Sequence, residues 1–216
     1  LPNPNLDLYR RLMRRGTAVV FLHNYYPDLP NCLYVKDDNL HGSSLLIQHL
    51  ASQGHTSIGA VFKSDDMQGI ERYQGFTEAI QSAGLSIDDS IIRWYDSYDL
   101  ERLVQAHDTR FLQDMIRHSL NGCTAVVCYN DQIAYYLLQE LRLRGFLIPE
   151  DLAVVSFDNT YLSRSDIFSL TTLSHHPHEM GTLAAEMMLH KLKGLPAGPQ
   201  EVPWFLNTRS STNAGL

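Results

Sequence analysis

Apolar and polar positions along the chain follow two alternating registers. Continuous apolar runs of strand length fall at 58–62, 125–128 and 153–157. Such runs suit parallel strands covered on both faces. Between them lie longer stretches with apolar residues at helical spacing, such as Leu45, Leu46 and Leu50 within 39–53, or Met180, Leu183, Ala184, Met187 and Met188 within 178–192. Gly16, Gly54 and Gly84 stand where these periods stop, as helix C′ residues do. The pattern predicts helices over 6–15, 39–53, 68–83, 100–117, 132–144 and 178–192. It predicts strands over 18–22, 33–35, 58–62, 91–94, 125–128, 153–157 and 170–173, with a last one near 202–205. Pro149, which cannot donate a helical N–H, is expected to stop the helix before it.

Repeated strand–helix units imply parallel sheets with right-handed crossovers. Four consecutive units between 58 and 157 suffice for one doubly wound domain. The segments before 35 and after 173 are too short for a second one. They read as parts of another lobe whose first units lie outside this sequence. The opening Leu1-Pro2-Asn3-Pro4, with no basic or apolar leader, reads as the start of a piece cut from a longer polypeptide.

Composition narrows the function classes. The 216 residues are 44% hydrophobic, enough for a full core. No stretch approaches the roughly 18 apolar residues of a membrane span. A net charge of −7 argues against nucleic-acid binding by this segment, which needs clustered Lys and Arg. The basic run Arg10, Arg11, Arg14 and Arg15 reads as a solvated helix face. Three cysteines, Cys32, Cys123 and Cys128, are too few and odd for a disulfide framework and fit a reducing, cytoplasmic compartment. Cys128, inside an apolar strand, reads as an inert core residue.

Candidate chemistry gathers at strand ends. In open α/β sheets, ligands bind at the carboxyl edge. The 153–157 run ends on Asp158-Asn159, and the 125–128 run on Tyr129-Asn130-Asp131. Asn130 or Asp131 can also cap the helix that follows. Asp65-Asp66 precedes a helix, where carboxylates favour the dipole and cap free N–H groups. His175-His176-Pro177-His178 has two histidines two apart, but Pro177 breaks the geometry a metal needs, and a solvent-exposed crossover is the expected reading. The chain carries no P-loop, Gly-x-Gly-x-x-Gly, Gly-x-Ser-x-Gly or His-Glu-x-x-His motif. No metal site and no cofactor is expected, and no enzyme activity.

Several segments resemble one family in order and at the right spacing: Val35-Lys36-Asp37-Asp38-Asn39-Leu40-His41-Gly42, then His49-Leu50, Gly54-His55-Thr56-Ser57-Ile58, Arg72-Tyr73-Gln74-Gly75-Phe76, 124–131, 148–159 and Leu170-Thr171-Thr172-Leu173. Together they are similar to the effector-binding domain of the lactose/galactose repressors. Phe62-Lys63-Ser64-Asp65-Asp66-Met67-Gln68-Gly69 resembles more narrowly the arabinose repressors, in which a winged-helix N-terminal DNA reader precedes the sugar domain. The resemblance implies an α/β, periplasmic-binding-protein-like fold: two doubly wound parallel-sheet lobes joined by a crossover hinge, with the N-terminal part of the first lobe missing. On that fold residues 1–35 form part of the N-terminal lobe, 36–173 the C-terminal lobe, 174–200 the return to the first lobe, and 201–216 a tail going back to the second.

The resemblance also implies a sugar effector, a homodimer, operator DNA bound only through an absent N-terminal domain, and no membrane. Arg72 matches the family's sugar-holding arginine. Its five fixed donors suit adjacent hydroxyls. Asp158 would accept from two hydroxyls, and Asn130 would donate and accept. Gln68 lies one turn before Arg72 and faces the same way. Lys63 ends a strand at the same edge. His23 and Asn24 follow the 18–22 strand and would face the cleft from the first lobe. Tyr25, Trp94 and Tyr95 are aromatics for a sugar face or for plain core, with Tyr95 taken as a contact. Gly75 and Phe76 read as structural. Ile133, Tyr136, Leu137 and Leu141 on the 132–144 helix, extended by Tyr161 and Leu162, suggest a dimer face or a monomer core. A secreted sugar carrier shares this fold, but the free cysteines and the 35–58 block argue against it. An α/β enzyme is a third reading, without a visible nucleophile–base pair.

Overall fold

The structure, a computed structural model, describes residues 5–164 and 169–213; the opening Leu1-Pro2-Asn3-Pro4 lies outside them. In chain order it holds α1 (Leu6–Arg14), β1 (Val20–Leu22), β2 (Leu33–Asp37), α2 (Asn39–Ser52), β3 (Ile58–Lys63), α3 (Met67–Ser82), β4 (Ile92–Tyr95) and α4 (Ser97–Gln105). There follow α5 (Arg110–Asp114), β5 (Ala125–Cys128), α6 (Asp131–Leu143), β6 (Ala153–Phe157), β7 (Thr171–Ser174), α7 (Pro177–Leu192), β8 (Gln200–Val202) and β9 (Phe205–Asn207).

The strands form two sheets. Three parallel strands in the order β1-β2-β8 make the small one. Six in the order β4-β3-β5-β6-β7-β9 make the large one, parallel except where β9 runs against β7. The chain passes between the sheets three times: after Asp37, between β7 and β8, and at Pro203-Trp204.

Continuous apolar strands are explained by a large sheet covered on both faces. Ala60, Phe62, Val127, Val155 and Phe157 pack on one face with Leu46 and Leu50 of α2 and Phe76 of α3. Val61, Val126, Cys128 and Val154 alternate to the other face, against Leu103, Leu112, Leu137 and Leu141. The small sheet has only a small core, in which Leu33, Val35 and Val202 meet Met180 and Met187 of α7.

Three sequence expectations are corrected. The helix predicted over 100–117 is two helices and a π-helical turn (Met115–Ser119). His107 turns left-handed, with φ 53°, and Asp108 accepts from the Arg110 backbone at 3.2 Å and its side chain at 2.8 Å, starting a second helix. The strand predicted near 202–205 is two strands on different sheets. Pro203 lacks the N–H to continue a ladder, and Trp204 is buried against Phe157. Residue 202 therefore still belongs to the small sheet. The helix before Pro149 ends earlier, at Leu143. Gly145 sits at φ 81°, and Phe146 N–H donates to Leu141 O at 3.1 Å, a Schellman closure.

Close packing of α3 sets the site. Gly75 lets the helix touch α2: a Cβ there would lie 2.7 Å from Leu40 Cα. At Gly69 a Cβ would fall 1.8 Å from the Lys63 carbonyl oxygen. The contact is with backbone, so no side chain can move aside. Gly69→Ala is expected to destabilise by about 2–3 kcal/mol or more, whereas Gly198→Ala, with nothing within 4 Å of its Cβ, should change little. Urea unfolding of both variants checks this.

Candidate ligand-binding site

Arg72 rises from the second turn of α3, behind the Asp66 cap, whose carboxylate accepts from Gly69 N–H at 2.7 Å. Although a guanidinium, it is 2% exposed. A buried charge must be paired and hydrogen-bonded, and this one is. Nε donates to Asn39 Oδ1 at 3.0 Å, Nη1 to the Tyr129 carbonyl, and Nη2 to Gln68 Oε1 at 2.9 Å and to Asp158 Oδ1 at 3.4 Å. Its flat face lies 4.2 Å from the Phe157 ring centroid and 4.8 Å from that of Tyr129, with Trp204 at 5.5 Å. Gln68 and Arg72, four residues apart, thus meet as their helical spacing required.

The cluster is tied to the small sheet as well. Asn39 opens α2, directly after β2 of the small sheet, and its Nδ2 donates to Glu71 Oε2 at 2.8 Å. Lys36 on β2 donates to Glu71 Oε1 at 2.5 Å and pairs with Glu201 on β8 at 3.1 Å. Burial works to lower the Lys36 pKa, but Glu71 and then Glu201 outweigh it and the pKa is raised. A line of charges and amides therefore runs from the small sheet through Glu71 and Asn39 to Arg72.

Asp158 follows β6 at the carboxyl edge, with φ 99°, a backbone state rare outside glycine. About 30% of its side chain is accessible. Desolvation still outweighs the attraction of Arg72, and its carboxyl is held above the ordinary range. Two side chains have capping or framework roles. Asn130 caps α6, accepting from Ile133 N–H at 3.0 Å, which leaves its Nδ2 protons for other partners. Asp131, which is not the cap, is fully buried. Its carboxylate accepts from Ser156 Oγ, from Thr172 Oγ1 at 2.7 Å, and from the N–H and hydroxyl of Thr160. It fastens the loop that carries Asp158.

The other predicted residues are more scattered. Lys63 is held by Asp65 at 2.8 Å and Asp66 at 3.3 Å. Asp66 also accepts from Tyr129 Oη at 2.7 Å. The Tyr95 ring lies in the core, 2% exposed and stacked on Phe111. It is core packing rather than a sugar face, because β4 turns it inward. Asn24 Oδ1 accepts from Tyr25 N–H at 2.8 Å, a local turn. His23, with φ 62°, reaches Asp37 of β2, Nδ1 to Oδ2 at 2.9 Å. Ile133, Leu137 and Leu141 are fully buried in the core of the large sheet, so these three are core packing rather than a dimer face.

Sequence reasoning missed Asp37, His175, Asn39 and Glu71. Asp37 stands at the carboxyl end of its strand, the signal that singled out Asp158. No comparable signal marks the pairing of Lys36 with Glu71, 35 positions apart. Among the described residues no group of three His, Cys, Asp or Glu is placed to hold a metal, and no helix is long and apolar enough to cross a membrane. Cys123 and Cys128 are buried and unpaired, and burial pushes both thiols up. A cavity of about 320 Å3 opens beside α1, lined by Arg10, Arg14, Thr17, Asn31 and Lys191 among others. Its charged rim is cationic and it shares no residue with the Arg72 cluster.

Residues 47–212 match the model of the periplasmic binding protein-like domain. The chain is 34% identical over 191 residues to an arabinose metabolism transcriptional repressor of Halalkalibacterium halodurans, covering 88% of this chain and 49% of that protein. It is 33% identical, over 88% of its length and 51% of the relative's, to a protein of the same name from Geobacillus stearothermophilus. The chain thus spans about half the length of these curated relatives. It is 28% identical to the transcriptional regulator GalR of Escherichia coli, over 86% of this chain and 52% of that one. Among solved structures, the transcriptional regulator CelR in complex with cellobiose superimposes with a TM-score of 0.83 at 25% identity, over 95% of this chain and 62% of that one. A LacI transcriptional regulator from a Rhodococcus species gives 0.79 at 25% identity, over 98% and 75%.

Two predictions follow from the geometry. Asp131→Ala leaves four donors unmet, two of them on the fully buried Ser156 and Thr172, and should cost more than about 3 kcal/mol, read as a lower urea midpoint. The second concerns pH. The hydrogen bond to Asp37, partly offset by burial, raises the His23 pKa above its ordinary 6.5, with Asp37 and Asp158 adding and Arg72 opposing. The stability this contributes is complete below pH 6.5 and is lost as pH rises through the folded-state pKa. His49 and His55, lowered by burial, act below 6.5 instead. Between pH 6.5 and 8 the wild-type urea midpoint should therefore fall more steeply than that of His23→Gln. Parallel slopes would contradict the assignment.

Proposed function

This chain belongs to the periplasmic-binding-protein-like domain family, and from that premise we propose that it is the sugar-binding, dimerising effector domain of a bacterial transcriptional repressor that answers to L-arabinose. The observation that carries the reading is the Arg72 cluster: one guanidinium on an aromatic bed, flanked by Asn39, Gln68 and Asp158, where three crossings join two sheets. A sugar needs donors and acceptors fixed side by side, each bond contributing about 0.5–1.5 kcal/mol net and more at a charged group. Arg72 supplies donors, Asp158 an acceptor and Asn130 a free amide. Lys63, His23 and Asn24 stand at the margins. Tyr95, buried in the core, is not among the contacts.

On this reading the small sheet belongs to an N-terminal lobe and the large one to a C-terminal lobe. Ligand contacts from both favour the closed arrangement over the open one. Closure then shifts the dimer and lowers operator affinity, with DNA read by a separate N-terminal domain and the whole acting in the cytoplasm. Two relatives named as arabinose metabolism repressors support the arabinose choice. Relatives and structural neighbours named as transcriptional regulators weigh against a periplasmic sugar carrier and against an enzyme. For the dimer, the support is apolar surface at the C-terminal end of α6 and just past Asp158: Leu143 is 80% exposed and Tyr161 83%.

Calorimetric titration with L-arabinose, ribose, xylose and galactose tests the ligand class. Arabinose should bind saturably and the others more weakly. Silence from all four would overturn the sugar reading. Alanine at Arg72 would open a hole in a buried network, so Arg72→Lys is the cleaner variant. It keeps the charge but loses the fork that meets Asn39, Gln68 and Asp158 together. Arabinose affinity should fall at least about tenfold, roughly 1.4 kcal/mol, and repression in cells should no longer be relieved by arabinose.

A further inference from the structure

Two of the three crossings bring titratable groups to one place. Asp37 ends β2 and His175 follows β7, while His23 reaches in from the loop after β1. Asp37 is 1% exposed. His23 takes its Oδ2. The other oxygen, Oδ1, lies 3.3 Å from His175 Nδ1, but the two are not aligned for a hydrogen bond. Asp37 Oδ1 and His175 Nδ1 are thus both buried without a hydrogen-bond partner. An unmet buried acceptor on a charged group is costly, and native structures keep few of them.

The same groups feel the Arg72 cluster. Asp37 and His175 both act electrostatically on Asp158, and Asp158 and Arg72 both act on His23. Trp204, from the third crossing, lies between them, 5.2 Å from the His175 ring and 5.5 Å from the Arg72 guanidinium. Glu71 is not available, because Lys36 and Asn39 occupy both its oxygens. The carboxylates that still have an oxygen without a hydrogen-bond partner here are Asp158 and the buried Asp37. With neutral histidines, two negative charges face one positive charge.

Resting on the sugar-effector reading, we infer that Asp37 is a specificity-determining contact: its Oδ1 accepts from a ligand hydroxyl on the hinge side, and its charge, with that of Asp158, turns away sugars bearing a carboxylate or phosphate. A hydroxyl can donate to Asp37 and accept from Arg72, so a neutral polyol satisfies both. An added anion would meet two carboxylates in a desolvated space, with all but one of the Arg72 N–H groups already taken by Asn39, Tyr129, Gln68 and Asp158. His23 fixes the orientation of Asp37 through its other oxygen, and His175 stands beside the free one.

The test is calorimetric titration of the full chain and of Asp37→Asn with neutral aldoses, L-arabinose and D-galactose among them, and with D-galacturonate. D-Galacturonate presents a carboxylate on a ring otherwise like that of galactose. The wild type should bind its best neutral sugar at least about 100-fold more tightly than galacturonate. In Asp37→Asn the neutral sugar should weaken about tenfold and the preference over galacturonate should narrow by a further factor of about ten, while the ligand-free melting temperature, read at about pH 8 or above where the protonated His23 no longer contributes, stays level or rises. A purely structural role would instead lower melting and weaken both ligands alike, leaving the preference unchanged, and that result overturns the inference. So does an Asp37→Asn variant with wild-type affinities, or a wild type that takes galacturonate as readily as neutral sugars. A wild type that binds no neutral sugar overturns the sugar-effector reading itself, and this inference with it.

Discussion

A guanidinium that is 2% exposed has to be met by protein on nearly every side, because a buried charge without partners is far too costly to persist. Arg72 imposes that demand on the rest of the molecule. Asn39, Gln68, the Tyr129 carbonyl and Asp158 must arrive together, from α2, α3, the end of β5 and the end of β6. The framework answers each requirement. Gly69 and Gly75 let α3 approach closely enough, Asp131 fastens the loop that carries Asp158, and Phe157 and Tyr129 give the flat cation its bed.

The same demand ties the two sheets to one another. Glu201 and Lys36 belong to the small sheet, Glu71 and Arg72 to α3 on the large one, and Asn39 joins them at the first crossing. A buried ion pair such as Lys36–Glu71 adds little net stability but is expensive to break. It therefore acts as a registry device: the sheets sit where the pair is intact. Closure around a ligand can draw on this arrangement, since a sugar bound at Arg72 would sense the position of β2 through Asn39 and Glu71.

Much of this fold was legible in the chain because large-sheet strands are buried on both faces and so read as unbroken apolar runs. The relation of Gln68 to Arg72 was legible because helical spacing is local. Legibility ended where distant groups decide. Lys36 and Glu71 look like surface charges until the fold brings them together. Tyr95, at a strand end, gave no sign of which way β4 would turn it. The 97–119 stretch kept helical spacing across its break because left-handed His107 and the Asp108 carboxylate interrupt the backbone without disturbing the apolar period. The apolar positions of α6 looked surplus only because its cover, Leu112 and Met115 of the neighbouring segment, is remote in sequence.

The central claim is that ligand is held where Arg72 meets the crossings, and the guanidinium itself is the most direct reporter. Nuclear magnetic resonance of the Arg72 Nε–H, resolved by comparison with Arg72→Lys, would follow that group while L-arabinose is added. The account predicts that this resonance shifts and saturates together with the backbone signals of Asn130 and Asp158. Shifts confined to Arg10, Arg14 and Lys191 around the cavity beside α1, with Arg72 unmoved at saturation, would contradict it.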